Sequence, residues 1–360
     1  MTDPLVISID AMGGDHGPPV AVAGAAEATR RLSGRPVRFL LHGDEARIEA
    51  ELRRFEALRP LVEIRHTAQI ISGEEKPAQA LRRGKGSSLW NAVEAIRQGE
   101  AAAAVSGGNT GALMAISKLI LRMIGSGLER PAIVASWPTA RGVTALLDVG
   151  ANIDCAASQL VEFAIMGDAF YRAVHAADPA YRPTVGVLNV GSEEMKGHEE
   201  VREANRLLRA GGFDFDYRGF VEGNDIAGGA VDVIVTDGFT GNIALKTGEG
   251  LARFFAASLK QSLTGDPLSM AGAVLAKGGL DRLRARLTPP GGGPLLGLNG
   301  TVVKSHGGTD ASGFADAIKI AYDLAASRYI EEIGRNIERL SVALAPDATN
   351  NVVSEAKSAE

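Results

Sequence analysis

Short apolar runs alternate along the chain with longer stretches whose apolar residues recur at helical spacing. The runs cover residues 6–9, 37–41, 62–64, 101–105, 133–135, 143–147, 185–190, 231–235 and 301–303. Several are apolar at consecutive positions rather than at every second one. That is the pattern of strands buried on both faces of a mostly parallel sheet. Stretches such as 112–124 and 159–176 carry the helical period. The order predicts a β-α-β-α chain and a layered α/β fold.

Six of the runs end in a polar, glycine-containing turn. DAMGGDHG follows Ile9, SGGNTG follows Val105 and DVGANID follows Leu147. GSEEMKG follows Val190, TDGFTGN follows Val235 and KSHGGTD follows Val303. None is a phosphate loop of the G-x-x-x-x-G-K-[ST] type or a G-x-G-x-x-G dinucleotide fingerprint. Glycine lets backbone N–H groups approach an anion, and a following helix N-terminus favours negative charge. Taken singly, each turn is equally well read as ordinary turn and cap chemistry. Six at the carboxyl ends of predicted strands point to one shared crevice at one rim of a parallel sheet.

Residues 251–287 break this rhythm. Leu251, Phe254, Phe255, Leu259 and Leu263 fall on one helical face, and the turn Thr264-Gly265-Asp266-Pro267 follows. A second amphipathic stretch holds Ala276, Leu280, Leu283 and Leu287, flanked by Lys277, Arg282, Arg284 and Arg286, before a Pro- and Gly-rich break at 289–294. This predicts a helical hairpin, either packed on the core or standing out as a dimer or membrane-surface arm. The polar tail after Ala345 is expected to be disordered.

Composition narrows the function. The chain has 360 residues, 45% hydrophobic but only 5% aromatic, which disfavours base-stacking nucleic-acid platforms. The formal net charge of -5 means that anions must be held by local cations and helix N-termini. A single cysteine excludes an internal disulfide framework and a multi-cysteine zinc site. No leader-like segment and no long apolar span is evident, so a cytoplasmic location is expected.

The stretches DAMGGDHGP, SGGNTGALM, LLDVGANID, GVLNVGSEEMKG, VTDGFTGNIALKT and KSHGGTDASGF, in this order, closely resemble the bacterial phosphate acyltransferases of phospholipid synthesis, the PlsX family. The resemblance runs from about residue 5 to 330. It implies an enzyme that takes an acyl chain from acyl carrier protein, gives it to inorganic phosphate and releases an acyl phosphate. It implies a phosphotransacetylase/isocitrate-dehydrogenase-like α/β fold: two subdomains with a cleft and a protruding helical hairpin. The expected division is 1–130 plus 300–343 as one subdomain and 131–299, with hairpin 251–287, as the other. It also implies a homodimer with peripheral membrane contact through the hairpin, no cofactor and no metal. The acyl phosphate would pass to a membrane acyl-phosphate-dependent glycerol-3-phosphate acyltransferase. The chain departs from the family pattern at Gly308-Thr309, where serine is common, and at Trp137, where smaller apolar residues are common.

Phosphate attack on a thioester needs a held but nucleophilic dianion, donors for the oxyanion, and a proton or cation for the leaving thiolate. Preorganised oxyanion donors are each worth roughly 100–1000-fold in rate. Lys196 is the first candidate for phosphate or oxyanion binding, against a solvated surface lysine, and the resemblance associates this position with activity. His16 and His306 are candidates for protonating the thiolate or orienting phosphate, and His16 is expected to face the site. Asn109, Thr110, Gly111, Asn152, Thr240, Gly241, Asn242 and Lys246 are candidate phosphate or substrate contacts. Asp10, Asp148, Asp154 and Asp237 are expected to orient lysines or backbone N–H groups, with a magnesium site as the competing account. Cys155 suggests an acyl-cysteine route, but direct attack by phosphate is expected instead. Arg82, Arg83 and Lys85 form a basic stretch suited to the acidic carrier protein, with Arg282, Arg284 and Arg286 as rivals. The competing functions are a metal-dependent decarboxylating dehydrogenase on the same fold and a non-enzymatic peripheral membrane scaffold.

Overall fold

The computed structural model describes residues 3–125, 128–178, 180–288 and 291–344, the last four of these as helix backbone only. The tail at 345–360 and the Pro289-Pro290 break lie outside the described residues.

The strands are β1 (Leu5–Asp10), β2 (Val37–Gly43), β3 (Val62–His66), β4 (Ala103–Ser106), β5 (Ala132–Thr139) and β6 (Gly142–Leu147). They continue with β7 (Thr184–Leu188), β8 (Asp216–Val221), β9 (Val233–Val235), β10 (Gly293–Leu296) and β11 (Thr301–Lys304). The helices are α1 (Pro18–Arg31), α2 (Glu45–Leu52), α3 (Pro77–Arg83), α4 (Ser88–Arg97), α5 (Thr110–Leu121) and α6 (Ala157–Val174). Then come α7 (Glu199–Arg209), α8 (Gly223–Gly228), α9 (Gly238–Thr264), α10 (Pro267–Leu287), α11 (Ala311–Ala326) and α12 (Tyr329–Leu344).

All the apolar runs become strands of one sheet, ordered β3-β2-β1-β4-β11-β10-β5-β6-β9-β7-β8. Their side chains are buried on both faces, Ile7, Phe39 and Val303 on one and Leu40 and Val302 on the other. Full burial of each such side chain stabilises the fold by roughly 1.5–3 kcal/mol. Strands β8 and β10 were not expected. β8 reads DYRGFV, with charged and glycine positions on a sheet edge, and β10 is a Gly-Pro-led tetrapeptide, so neither carries a clear apolar run.

The expectation that all six glycine turns share one rim is corrected by strand direction. β3, β2, β1, β4 and β11 are mutually parallel. β10 is antiparallel to both β11 and β5, which makes those two run the same way. β6 is antiparallel to β5, and β9, β7 and β8 follow β6 in parallel. The turns after β1, β4 and β11 therefore leave one end of the sheet, and those after β6, β7 and β9 leave the other. The physical cause is the β5–β6 hairpin, closed by Thr139 opposite Gly142. A parallel return needs a crossover of about a dozen residues or more, and the connection at Ala140-Arg141 is too short to make one.

The hairpin is resolved in favour of the protruding arm. Helices α9 and α10 pack on each other, and α10 has no buried residue. Leu251, Phe254, Phe255, Leu268 and Leu275 are all exposed, Leu275 at 90%. Near its end α10 is tied back to the body where Arg286 donates to the Ala140 carbonyl at 2.7 Å.

Candidate active site

At the first end of the sheet, residues at or next to the carboxyl ends of four adjacent parallel strands form a polar row. His42 on β2 pairs with Asp10 on β1, Asp10 with Ser106 on β4, and Ser106 with Lys304 on β11. Residues in register on neighbouring strands share a face. The Ser106 hydroxyl donates to Asp10 Oδ2 at 2.7 Å and accepts from the Gly108 N–H at 3.0 Å. Asp10 also accepts from the Met12 N–H at 3.3 Å. Complete burial raises the Asp10 pKa above the usual carboxylate range, and hydrogen bonds from Ser88 and Ser106 oppose the shift.

The three glycine turns interlock above this row. The Asp15 N–H donates to the Gly307 carbonyl at 2.9 Å, and the Ser305 N–H to the Ser106 carbonyl at 2.9 Å. Gly14 has φ +85°, and a Cβ there would lie 3.0 Å from the Gly307 oxygen, so the contact needs glycine. Lys304 Nζ donates to the Gly107 carbonyl at 3.2 Å and to the carbonyl of Ser305. Burial depresses its pKa to about 8, while Asp10 and Asp15 pull it back up. Lys304 was not singled out in the sequence. The local signal was its place as the last residue of an apolar strand, facing a glycine turn.

His16 is exposed on the same set of turns. His306 is 70% exposed, with Nε2 3.7 Å from Glu249 Oε1 on α9. Asn109 is committed to the fold. Its Oδ1 caps α5 through the Ala112 N–H at 2.9 Å, and its Nδ2 donates to the Gly73 and Glu75 carbonyls at 2.7 and 2.9 Å. Thr110 is exposed beside it, and Gly111 approaches Pro77. Arg82, Arg83 and Lys85 are exposed. Lys85 also lines a cavity of about 370 Å³ with Trp90, Arg97 and Arg122.

At the opposite end Asp148 is the organising group. Fully buried, it accepts from the Ile133 N–H at 3.0 Å, the Ala151 N–H at 3.0 Å and the Asn152 N–H at 2.6 Å. The Asn152 side-chain amide donates to it at 2.9 Å and to the Pro131 carbonyl at 2.9 Å. Burial raises the Asp148 pKa, and the backbone donors oppose the shift. Asp237 caps α9 through the Thr240 N–H at 2.8 Å and accepts the Thr240 hydroxyl at 2.7 Å. The Asn242 amide lies over Gly150. Asp154 and Lys246 are exposed. Cys155 Sγ sits 3.7 Å from the Asn152 carbonyl, and burial together with Asp148 pushes its pKa up to about 12. Lys196, in the turn after β7, is half exposed and pairs with Glu193 at 3.2 Å.

The two ends are joined by α9. Its first turn carries Thr240, Gly241 and Asn242 beside Asp148, and Glu249 on the same helix faces His306. Along the helix axis these positions are roughly 10 Å apart. Asn242 thus lies on the helix that His306 approaches, although the strands leading to them point oppositely. Lys196 and Asn109 stand on other turns, and among the described residues no hydrogen bond or ion pair links them to these two. Among the described residues no three His, Cys, Asp or Glu side chains are grouped so as to hold a metal ion.

This architecture is shared with the phosphotransacetylases. A phosphotransacetylase from Streptococcus pyogenes superposes with a TM-score of 0.62 at 16% identity, covering 89% of this chain and 94% of that one. That likeness defines the fold class. The chain belongs to the family described as fatty acid synthesis protein, which matches residues 5–332, and it is an acyltransferase. A phosphate acyltransferase of Caulobacter vibrioides is 64% identical over 347 residues, covering 96% of this chain and 95% of the relative. A phosphate acyltransferase of Phenylobacterium zucineum is 62% identical over 348 residues, covering 97% of this chain and 98% of the relative.

Proposed function

We propose that this acyltransferase moves a fatty acyl group from acyl carrier protein to inorganic phosphate, releasing an acyl phosphate for phosphatidic acid synthesis. The observation that carries the reading is the 64% identity, over nearly the full length of both chains, to a protein named phosphate acyltransferase.

The reaction is acyl transfer by direct attack. A phosphate oxygen bonds to the thioester carbon, the carbonyl oxygen becomes an oxyanion, and the carbon–sulfur bond breaks as the thiolate leaves with a proton. Backbone N–H groups of the glycine turns suit the oxygens that gain charge, because donors fixed in a low-dielectric site need no reorganisation. Lys196 is assigned to phosphate or the oxyanion, and His16 and His306 to protonating the departing thiolate or orienting phosphate. Thr110, Gly111, Asn152, Thr240, Gly241, Asn242 and Lys246 contact substrate in this reading, while Asp10, Asp148, Asp154 and Asp237 hold loops and caps. The Asn109 amide, already bonded to Gly73 and Glu75, serves by holding the α5 N-terminus in place. Cys155 is a bystander, since a thiol with a pKa of about 12 supplies almost no thiolate at neutral pH.

The exposed Arg82, Arg83 and Lys85 receive the acidic carrier protein in this reading. The apolar hairpin mediates homodimer and membrane-surface contact, placing a cytoplasmic enzyme beside a membrane acyltransferase that consumes acyl phosphate. Incubation with long-chain acyl carrier protein and phosphate, followed by mass detection, is expected to yield acyl phosphate with or without EDTA. No acyl phosphate from folded protein would refute the reading.

A further inference from the structure

Lys304 is the one lysine among the described residues whose pKa burial displaces strongly, and the sequence motifs left it without a role. Three observations single it out. It ends β11 in register with Ser106, which is in register with Asp10, so a cation, a hydroxyl and a buried carboxyl stand side by side across three strands. Its ammonium is held at the meeting point of the three glycine turns by the Gly107 and Ser305 carbonyls. Those two bonds use two of the ammonium's three protons and leave one for a ligand. The turns around it are tied to one another through backbone atoms, Asp15 N–H to the Gly307 carbonyl and Ser305 N–H to the Ser106 carbonyl, which fixes them around the ammonium.

We propose that Lys304 is a catalytic residue that binds inorganic phosphate, with Asp10 and Ser106 as positioning residues beneath it. The proposal rests on the acyl-transfer reading and deepens it by naming the cation of the acceptor subsite. A lysine serves here better than an exposed one because burial removes competing water and strengthens its pull on an anion. Asp10 does not cancel it. The carboxylate is occupied by the Ser106 hydroxyl and the Met12 N–H, and its attraction helps to keep the Lys304 ammonium protonated. The other charged groups around Lys304 are Asp15, on the turn after β1, and His306, two residues on, which faces Glu249 of α9. With a pKa of about 8, Lys304 is cationic below that pH and loses its charge as the pH rises through it.

The test titrates inorganic phosphate into wild type, Lys304→Met and Lys304→Arg by calorimetry, and measures the phosphate KM with an acyl carrier protein thioester. The expected result is a phosphate affinity about 10-fold or more weaker in Lys304→Met, with the phosphate KM raised to match and the acyl-donor KM within about 2-fold. Lys304→Arg is expected to recover much of the affinity. Wild-type phosphate affinity should fall as pH rises above about 8, and that fall should vanish in Lys304→Arg, because arginine keeps its proton. An unchanged affinity and KM in Lys304→Met overturns the proposal. So does an alkaline fall that persists in Lys304→Arg, which decides the matter even if the methionine variant fails to fold. Wild type that binds no phosphate also overturns it. Product formation is scored separately, so phosphate binding through Lys304 without acyl phosphate would sink the reaction assignment and leave the phosphate subsite standing.

Discussion

Ser106 gives its hydroxyl proton to Asp10 Oδ2 at 2.7 Å, joining the ends of β4 and β1 beneath the glycine turns. The same oxygen accepts the Gly108 N–H, so one small side chain holds a buried carboxyl and a loop together. Ser106→Ala leaves both without that partner. The expected loss is about 1–3 kcal/mol, read as a lower denaturant midpoint at unchanged m. An unchanged midpoint would show that the bond contributes nothing.

Cys155→Ala is expected to keep kcat within about 3-fold, because the thiol is held with a pKa of about 12 and lies in the Asp148 turn as packing. A loss of turnover in folded protein, or a trapped acyl-enzyme in wild type, would restore the covalent route.

Gly241 sits where a Cβ would overlap the Asp148 carbonyl oxygen. Gly241→Ala must push α9 away from the β6 turn, displacing Thr240 and Asn242 with it. Destabilisation of about 2–4 kcal/mol is expected, with acyl transfer reduced out of proportion to the folded fraction. Thermal melts beside initial rates provide the comparison, and a variant equal to wild type in both would deny that this contact positions α9.

Leu268 and Leu275 are 83% and 90% exposed on a helix that buries none of its residues. The double change Leu268→Glu and Leu275→Glu is expected to alter stability by less than about 0.5 kcal/mol. Co-sedimentation with anionic phospholipid vesicles is expected to drop several-fold, because each carboxylate replaces apolar surface at the interface. Equal sedimentation of wild type and variant would remove the hairpin from membrane contact.

His42 is buried and His175 half-buried, and desolvation lowers each pKa to about 4. An unfolded histidine titrates near 6.5, so between those values the unfolded chain holds more protons than the native one. Stability from these groups is therefore complete above about 6.5 and lost as pH falls toward 4. Among the described residues neither ring nitrogen of His42 has a hydrogen-bond partner, so His42→Leu gives up no bond. The melting temperature of His42→Leu is expected to fall less steeply than wild type between pH 6.5 and 4. Parallel curves would place the acid sensitivity elsewhere.

Much of this was legible along the chain because burial follows the side-chain period. The run at 37–41 became β2, and the amphipathic stretch from Leu251 became the outer half of α9. The glycine turns could be found because they follow apolar runs directly. The role of Asn109 could not, since its partners Gly73 and Glu75 lie more than thirty residues away and carry no motif. The setting of Lys304 is absent from its local sequence for a similar reason. Its burial depends on β4 and on turns from distant parts of the chain.

The sequence by itself determined the layers, the strand-end turns and the family, since each depends on local period or on a contiguous motif. Only the tertiary structure decided the direction of the β6–β8 half, the meeting of Lys304 with Asp10 and Ser106, and the approach of Glu249 to His306. Those depend on which strands become neighbours. Pairing is chosen by the burial of whole faces at once, and no single stretch of chain encodes it.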